Sequence, residues 1–263
     1  NNVSKMNKKI NLAFFVLFTA FSVNAQMATF KKELVRPAQL SYYAINHLGD
    51  TSSIVSNEIA KEALLRTYTF KDPFLGAIHW YDERNPLQQL VFYKNTQRIV
   101  LLDNQLSVKD KIVLMDRYPE LDAVFVSLTA QGSIWIFDGA TKRWCIISAQ
   151  TDQPQFVSNP IPSVDFVTTS GNFAYWQVNQ NVYGMDVYGK IVQEEKLPSK
   201  AKLLAINGKH FVYQLNNGVF LLDTENKETE RLREVTFEIE RAFFNAKTIS
   251  LLSKDKLYLY NIN

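Results

Sequence analysis

From about residue 38 onward the chain alternates short apolar runs with polar punctuation. "QLVFYK", "RIVLLD", "DAVFVSL", "SIWIFD", "NFAYWQV", "HFVYQL", "GVFLLD", "TISLLS" and "KLYLYN" are rich in Val, Ile, Phe, Tyr and Trp, and Asn, Asp, Gly and Lys separate them. Runs of this length and composition, bounded by turn-forming residues, predict β-strands. One segment departs from the pattern. "SNEIAKEALL", residues 56–65, opens on a capping Ser and continues with good helix formers at helical spacing, which predicts one short helix.

The strands repeat in a common layout of four apolar-leaning residues, an Asp or Asn, and a polar turn. That position falls at Asp103, Asp138, Asp186, Asp223 and Asn261, with a more degenerate copy at Asn46. The separation of roughly 40 residues suits a four-stranded β-propeller blade. The stretch 165–197 contains all four strands of one such unit: "VDFVTT", "NFAYWQV", "NVYGMDV" and "KIVQEEKL". An all-β propeller of about five or six blades is therefore expected, with a β-sandwich as the alternative. The last copy lacks one strand, whereas "MATFKKELV" near the N-terminus is a strand without a blade. Pairing the two would close the ring and remove the exposed sheet edges of an open array.

The N-terminus changes the reading of charge. Lys8 and Lys9 precede the apolar run "INLAFFVLFTAFSV", which ends at "VNA", so residues 1–25 read as a cleaved signal peptide and 26–263 as a single domain. The run is too short for a membrane span, and direct membrane insertion is not expected. Residues 1–5, ahead of Met6, look like sequence upstream of the start codon. The whole chain carries 29 Lys+Arg against 26 Asp+Glu, but Lys5, Lys8 and Lys9 belong to the leader, leaving 26 of each. A domain of zero net charge lacks the basic surface from which nucleic-acid binding draws its affinity, so nucleic acid is not an expected partner.

Candidate chemistry is sparse. "YGMDVYGK", residues 183–190, spaces Gly184, Gly189 and Lys190 as a P-loop does. Yet Ile191 follows where Ser or Thr would hold Mg²⁺, "IVQEEKL" reads as a strand where a helix is needed, and Asp186 places an anion in the phosphate cradle. The stretch is read as a strand-turn-strand unit with Gly189 in the turn. The repeated Asp and Asn lack the density of a calcium loop and suit turn formation. His47, His79 and His210 lie in different copies, and no metal or cofactor is expected. Cys145, the only cysteine, reads as a buried hydrophobe. The adjacent acids Asp82 and Glu83, or Glu194 and Glu195, point to opposite faces of a strand and cannot form a glycosidase pair. No residue is assigned a catalytic role. One loop stands out for binding: in "IHWYDERNP", Trp80, Tyr81, Asp82 and Arg84 combine side chains common at interface hot spots.

The units "VFYKNTQRIVLLDNQLSVKDKI" and "NVYGMDVYGKIV", behind "VNAQ", resemble secreted propeller-like proteins of Bacteroidota, and within them the periplasmic plug family of the type 9 secretion translocon. The resemblance implies a non-enzymatic subunit that caps the periplasmic opening of a large outer-membrane barrel. Its expected partner is that barrel or another envelope protein. Cargo of that system ends in a sorting domain, whereas here the strand pattern runs to "KLYLYNIN", so the expected location is the periplasm. The alternatives are a carbohydrate-active or small-ligand propeller enzyme, which requires polar groups from several blades to converge on an axial cavity, and a sugar-binding or adhesin module.

Overall fold

A computed structural model describes residues 26–148, 153–235 and 238–263; the segment read as a signal peptide lies outside the described residues. Strand β1 (Ala28–Val35) comes first in the chain but belongs to the last sheet. Blade 1 is β2 (Leu40–Ile45), β3 (Thr51–Val55), β4 (Glu58–Glu62) and β5 (Thr67–Phe70). Blade 2 is β6 (Trp80–Asp82), β7 (Gln89–Tyr93), β8 (Arg98–Leu102) and β9 (Val108–Val113). Blade 3 is β10 (Ala123–Leu128), β11 (Ile134–Asp138), β12 (Arg143–Ile147) and β13 (Gln155–Phe156). Blade 4 is β14 (Phe166–Ser170), β15 (Phe173–Val178), β16 (Asn181–Met185) and β17 (Ile191–Lys196). Blade 5 is β18 (Lys202–Asn207), β19 (His210–Leu215), β20 (Gly218–Asp223) and β21 (Glu228–Leu232). Blade 6 is β22 (Arg241–Asn245), β23 (Thr248–Leu252), β24 (Lys256–Ile262) and then β1. The result is a six-bladed propeller, not a sandwich, and every strand pair is antiparallel.

The burial pattern explains why these sequences choose blades. Central strands such as β7 "QLVFY", β11 "IWIFD" and β23 "TISLL" are buried at every position, because each face packs on a neighbouring blade. Outer strands such as β9 "VKDKIV" and β17 "IVQEEK" are largely exposed. A continuous apolar run therefore marks the middle of a blade, and a charged one marks its rim. The cores lie between blades: Leu90, Phe92, Val126 and Ile136 join blades 2 and 3, while Val212, Leu221, Ile249 and Tyr258 join blades 5 and 6.

Ring closure follows the expected route. β1 pairs along β24 from Ala28 opposite Ile262 to Val35 opposite Lys256, with one bulge between Phe30 and Lys32. The chain's first strand thus covers the edge that its last blade would leave open.

Two sequence expectations need correction. Residues 56–65 form no helix: Ser56 and Asn57, at φ 51° and 66°, make a tight hairpin turn, and Glu58–Glu62 pairs with Thr51–Val55. Positive φ at both turn residues gives the twist that a two-residue hairpin needs, and Ile59 and Lys61 then alternate inward as a strand requires. Helical elements among the described residues are instead a 3₁₀ turn at Lys94–Thr96 and a single turn, α1 (Leu114–Arg117). The repeated Asp or Asn position is also not one place in the blade. Asp103, Asp186 and Asp223 end third strands, Asp138 ends a second strand, Asn46 follows a first strand, and Asn261 lies inside β24.

Three of these side chains, Asn46, Asp103 and Asp186, share one turn chemistry. The Oδ1 atom of Asn46 accepts from the N–H of Leu48 and Asp50 at 2.9 and 3.0 Å, that of Asp103 from Gln105 and Ser107 at 2.8 and 2.9 Å, and that of Asp186 from Tyr188 and Lys190 at 2.9 and 3.0 Å. The fourth residue of each loop is left-handed: Gly49 at φ 86°, Leu106 at 61° and Gly189 at 85°. In the P-loop-like stretch, the N–H groups that would face a phosphate are thus already bound to a carboxylate.

Candidate functional site

The first strand of each blade lines the propeller axis, and neighbouring first strands approach one another around it. They enclose a cavity of about 760 Å³, a size suited to a small ligand. Exposed charged residues lie where these strands begin, among them Lys202, Glu240 and Arg241. Buried polar residues lie where they end. The cavity is therefore a funnel whose mouth is at the strand starts and whose floor is at the strand ends.

The floor is built by "WYDER". β6 contributes only three residues to its sheet and ends on Asp82, and the chain beyond it brings Glu83 and Arg84 to the axis beside that acid. Arg84 grips Asp82 through Nε at 2.8 Å and Nη2 at 2.7 Å, a two-pronged contact that suits a planar guanidinium. Asp82 also accepts from Ser127 Oγ at 2.6 Å and from the Leu128 N–H at 3.0 Å. Arg84 reaches on to the carbonyl of Thr169 and to its Oγ1, the latter at 2.8 Å. One ion pair thus ties blade 2 to blades 3 and 4.

Glu83, the first residue past β6, points the other way. It accepts from Tyr42 Oη at 3.0 Å and Asn245 Nδ2 at 3.3 Å, and from Ser52 Oγ, joining blade 2 to blades 1 and 6. Smaller bonds continue around the axis. The Gly208 N–H donates to Ser170 Oγ, and Asn207 Nδ2 donates to the Ala246 carbonyl, each at 2.9 Å. Asp82 and Glu83 are 3 % and 5 % exposed, so this polar latch fills the axis at the floor.

The two acids sit in opposite electrostatic environments. Burial alone would raise the Asp82 carboxyl, but the Arg84 guanidinium and the hydrogen bonds from Arg84, Ser127 and Leu128 outweigh it and hold the group at about 2. Burial raises Glu83, and hydrogen bonds from Ser52, Tyr42 and Asn245 only partly offset it. Tyr42 is pushed up by burial and by Glu83. Every oxygen of the acid pair is engaged by protein donors, an arrangement that suits holding blades together better than transferring protons to a substrate.

Of the four residues singled out from the loop, Asp82 and Arg84 form the latch, Tyr81 is 3 % exposed with its hydroxyl bonded to Gln89, and Trp80 packs at a tilt against Phe125, ring centroids 4.9 Å apart, in the cavity wall. The structure brings them together at the axis. Sequence reading missed their partners Ser52, Ser127, Thr169 and Asn245. A signal existed: "VFVSL", "FVTTS" and "AFFNA" each place a small polar residue late in a first strand, visible once copies are aligned on first strands instead of on turn aspartates.

The other candidates separate. His79 lies at the cavity mouth, His47 in the turn after β2, and His210 at the start of β19. Among the described residues no group of three His, Cys, Asp or Glu could hold a metal ion. In "DTENKE", Asp223 is occupied by the N–H groups of Glu225 and Asn226 and by Lys209 Nζ at 2.9 Å. Cys145 is fully buried, and burial together with Asp138 pushes its thiol up to about 12, a setting that disfavours the reactive thiolate. No helix among the described residues is long and apolar enough to cross a membrane.

No protein-family model and no curated protein matches the chain. Solved structures do. A streptogramin B lyase aligns with TM-score 0.59 at 16% identity, covering 86% of this chain and 80% of that one. A catalytically inactive virginiamycin B lyase from Staphylococcus aureus with quinupristin aligns at 0.60 and 14% identity, covering 89% and 100%. The extracellular domain of a putative hybrid two component system from B. thetaiotaomicron aligns at 0.54 and 10% identity, covering 84% of this chain and 33% of that one. At such identities the likeness shows the propeller fold and nothing about chemistry.

Proposed function

We propose that this chain is a non-enzymatic binding module of the periplasm, a plug that docks on the opening of an outer-membrane translocon barrel and blocks it. The observation that carries the reading is on the face where first strands end. Its turns expose Leu48, Leu64, Leu65, Leu87 and Tyr188 at 70, 94, 90, 72 and 86 %. Large apolar side chains held on rigid hairpin turns suit a protein partner, because little ordering entropy remains to be lost on docking. The opposite face has fewer, with Val35, Phe74 and Met115 prominent. Occlusion also demands a body without a through-channel, and the latch fills the axis on the docking side.

The lyases among the structural neighbours suggest an enzyme as the competing reading. The engaged state of Asp82 and Glu83 favours binding over catalysis here. Affinity purification of the tagged full chain from envelope extracts tests the proposal. An outer-membrane barrel should copurify with the wild type and be lost with Leu64→Asp/Leu65→Asp. Recovery as a lone monomer, or equal recovery of the barrel by the variant, would overturn it.

A further inference from the structure

The axial cavity opens on the face opposite the proposed docking turns, so it is free to do something else. Its wall is apolar, formed by Trp80, Phe125, Phe166, Val167 and Phe243. Its mouth is not. Lys202 and Arg241 stand at the starts of adjacent first strands, and Lys142 projects from the turn after β11 on the same face.

Of the two acids at that mouth, Glu240 is bridged to Arg36 at 2.5 Å, and Asp165 accepts from the Asn179 N–H at 2.6 Å, a bond that leaves its charge in place. Among the described residues, no carboxylate lies within ion-pair distance of Lys142, Lys202 or Arg241, and the Arg241 guanidinium donates a long 3.4 Å bond to the Ser41 carbonyl. Burial and the charge of Arg36 both disfavour the Arg241 cation, which Glu240 only partly relieves. At the other side of the mouth, burial, Lys94 and Arg241 all lower the pKa of the His79 imidazole. With Lys142, Lys202 and Arg241 facing Glu240 and Asp165, and Glu240 bridged to Arg36, an incoming anion would meet a net positive charge above an apolar chamber.

We propose that the axial cavity is a binding site for a small amphipathic anion, a hydrophobic carboxylate whose apolar body lies against Trp80, Phe125, Phe166 and Phe243 and whose carboxylate is held at the mouth by Arg241 and Lys202. The volume of about 760 Å³ admits such a molecule whole. The latch has no part in holding it, because its donors and acceptors are spent on one another. An apolar chamber supplies affinity in proportion to the surface it removes from water, and the two cations supply selection by charge.

Isothermal titration of the full chain with three probes below their micellar concentrations distinguishes the terms: decanoate, decanol and decyltrimethylammonium. Decanoate should bind at one site, decanol more weakly, and decyltrimethylammonium not at all. The double variant Arg241→Gln/Lys202→Gln, which changes two exposed side chains, should melt like the wild type, lose at least tenfold in decanoate affinity and bind decanol unchanged. Val167→Trp, which pushes a larger ring into the chamber, should weaken binding of both. Absence of decanoate binding, equal affinity for all three probes, or decanoate affinity unmoved in the double variant would each overturn the proposal. None of these outcomes touches the barrel-docking reading, which rests on the other face.

Discussion

Asp82 and Glu83 are neighbours in sequence with opposite consequences for stability. Folding depresses Asp82, so its contribution is complete above the ordinary carboxylate range and is lost as pH falls toward 2. Folding raises Glu83, so its contribution is complete below the ordinary range and is lost as pH rises through the elevated value. Asp82→Asn should cost about 3 kcal/mol in urea unfolding at pH 7, because it leaves Arg84 without its partner. Glu83→Gln should gain stability relative to the wild type between pH 4 and pH 7; a difference that stays flat across that interval would contradict the assignment.

Glycines test the backbone at the same scale. Gly189 and Gly49 occupy the same left-handed position in equivalent loops, but a Cβ on Gly189 would sit 2.3 Å from the Val157 carbonyl oxygen, while one on Gly49 meets nothing within 4 Å. Gly49→Ala should cost about 1 kcal/mol for backbone conformation alone. Gly189→Ala should cost about 1 kcal/mol or more beyond that, since its neighbour is backbone and must move. Equal losses of melting temperature in the two variants would show that the Val157 contact is immaterial.

At the level of elements, β1 can be removed by truncation, leaving a blade incomplete while deleting few core residues; only Ala28 of its eight residues is buried. Its value lies in the pairing with β24 and in the carboxylate of Glu230, which accepts from the N–H groups of Met27 and Ala28. A chain beginning at residue 36 should keep its sheet content but expose the edge of β24. Size-exclusion chromatography should then show dimers or larger species, and a stable monomer would mean that the edge is protected by other means. The misread hairpin belongs to this scale too. "SNEIAKEALL" has real helix propensity, but five residues of strand pairing and a two-residue turn override a preference worth a few tenths of a kcal/mol per residue.

For the whole molecule, five apolar cores lie between blades and polar bonds circle the axis, so no blade has a core of its own. Unfolding should therefore be a single transition. The fluorescence of Trp80, Trp135, Trp144 and Trp176, which sample blades 2, 3 and 4, should change together with far-ultraviolet circular dichroism in urea. Separate midpoints would mean that the ring opens in stages.

The amino-acid sequence determined the strands, their antiparallel order within blade 4, the spare N-terminal strand and the approximate blade number, because each follows from local periodicity and turn chemistry. It also disposed of the P-loop, since Asp186 and Ile191 are wrong for a phosphate wherever the segment lies. Only the tertiary structure decided that Asp82 and Arg84 form a latch with Ser127 and Thr169, that Glu83 turns away toward Tyr42 and Asn245, and that Lys202 and Arg241 share a cavity mouth. Those partners are some 40 to 160 residues apart along the chain. A propeller brings first strands together only by closing its ring, and the polar residues late in those strands do not encode which of them then pair on the axis.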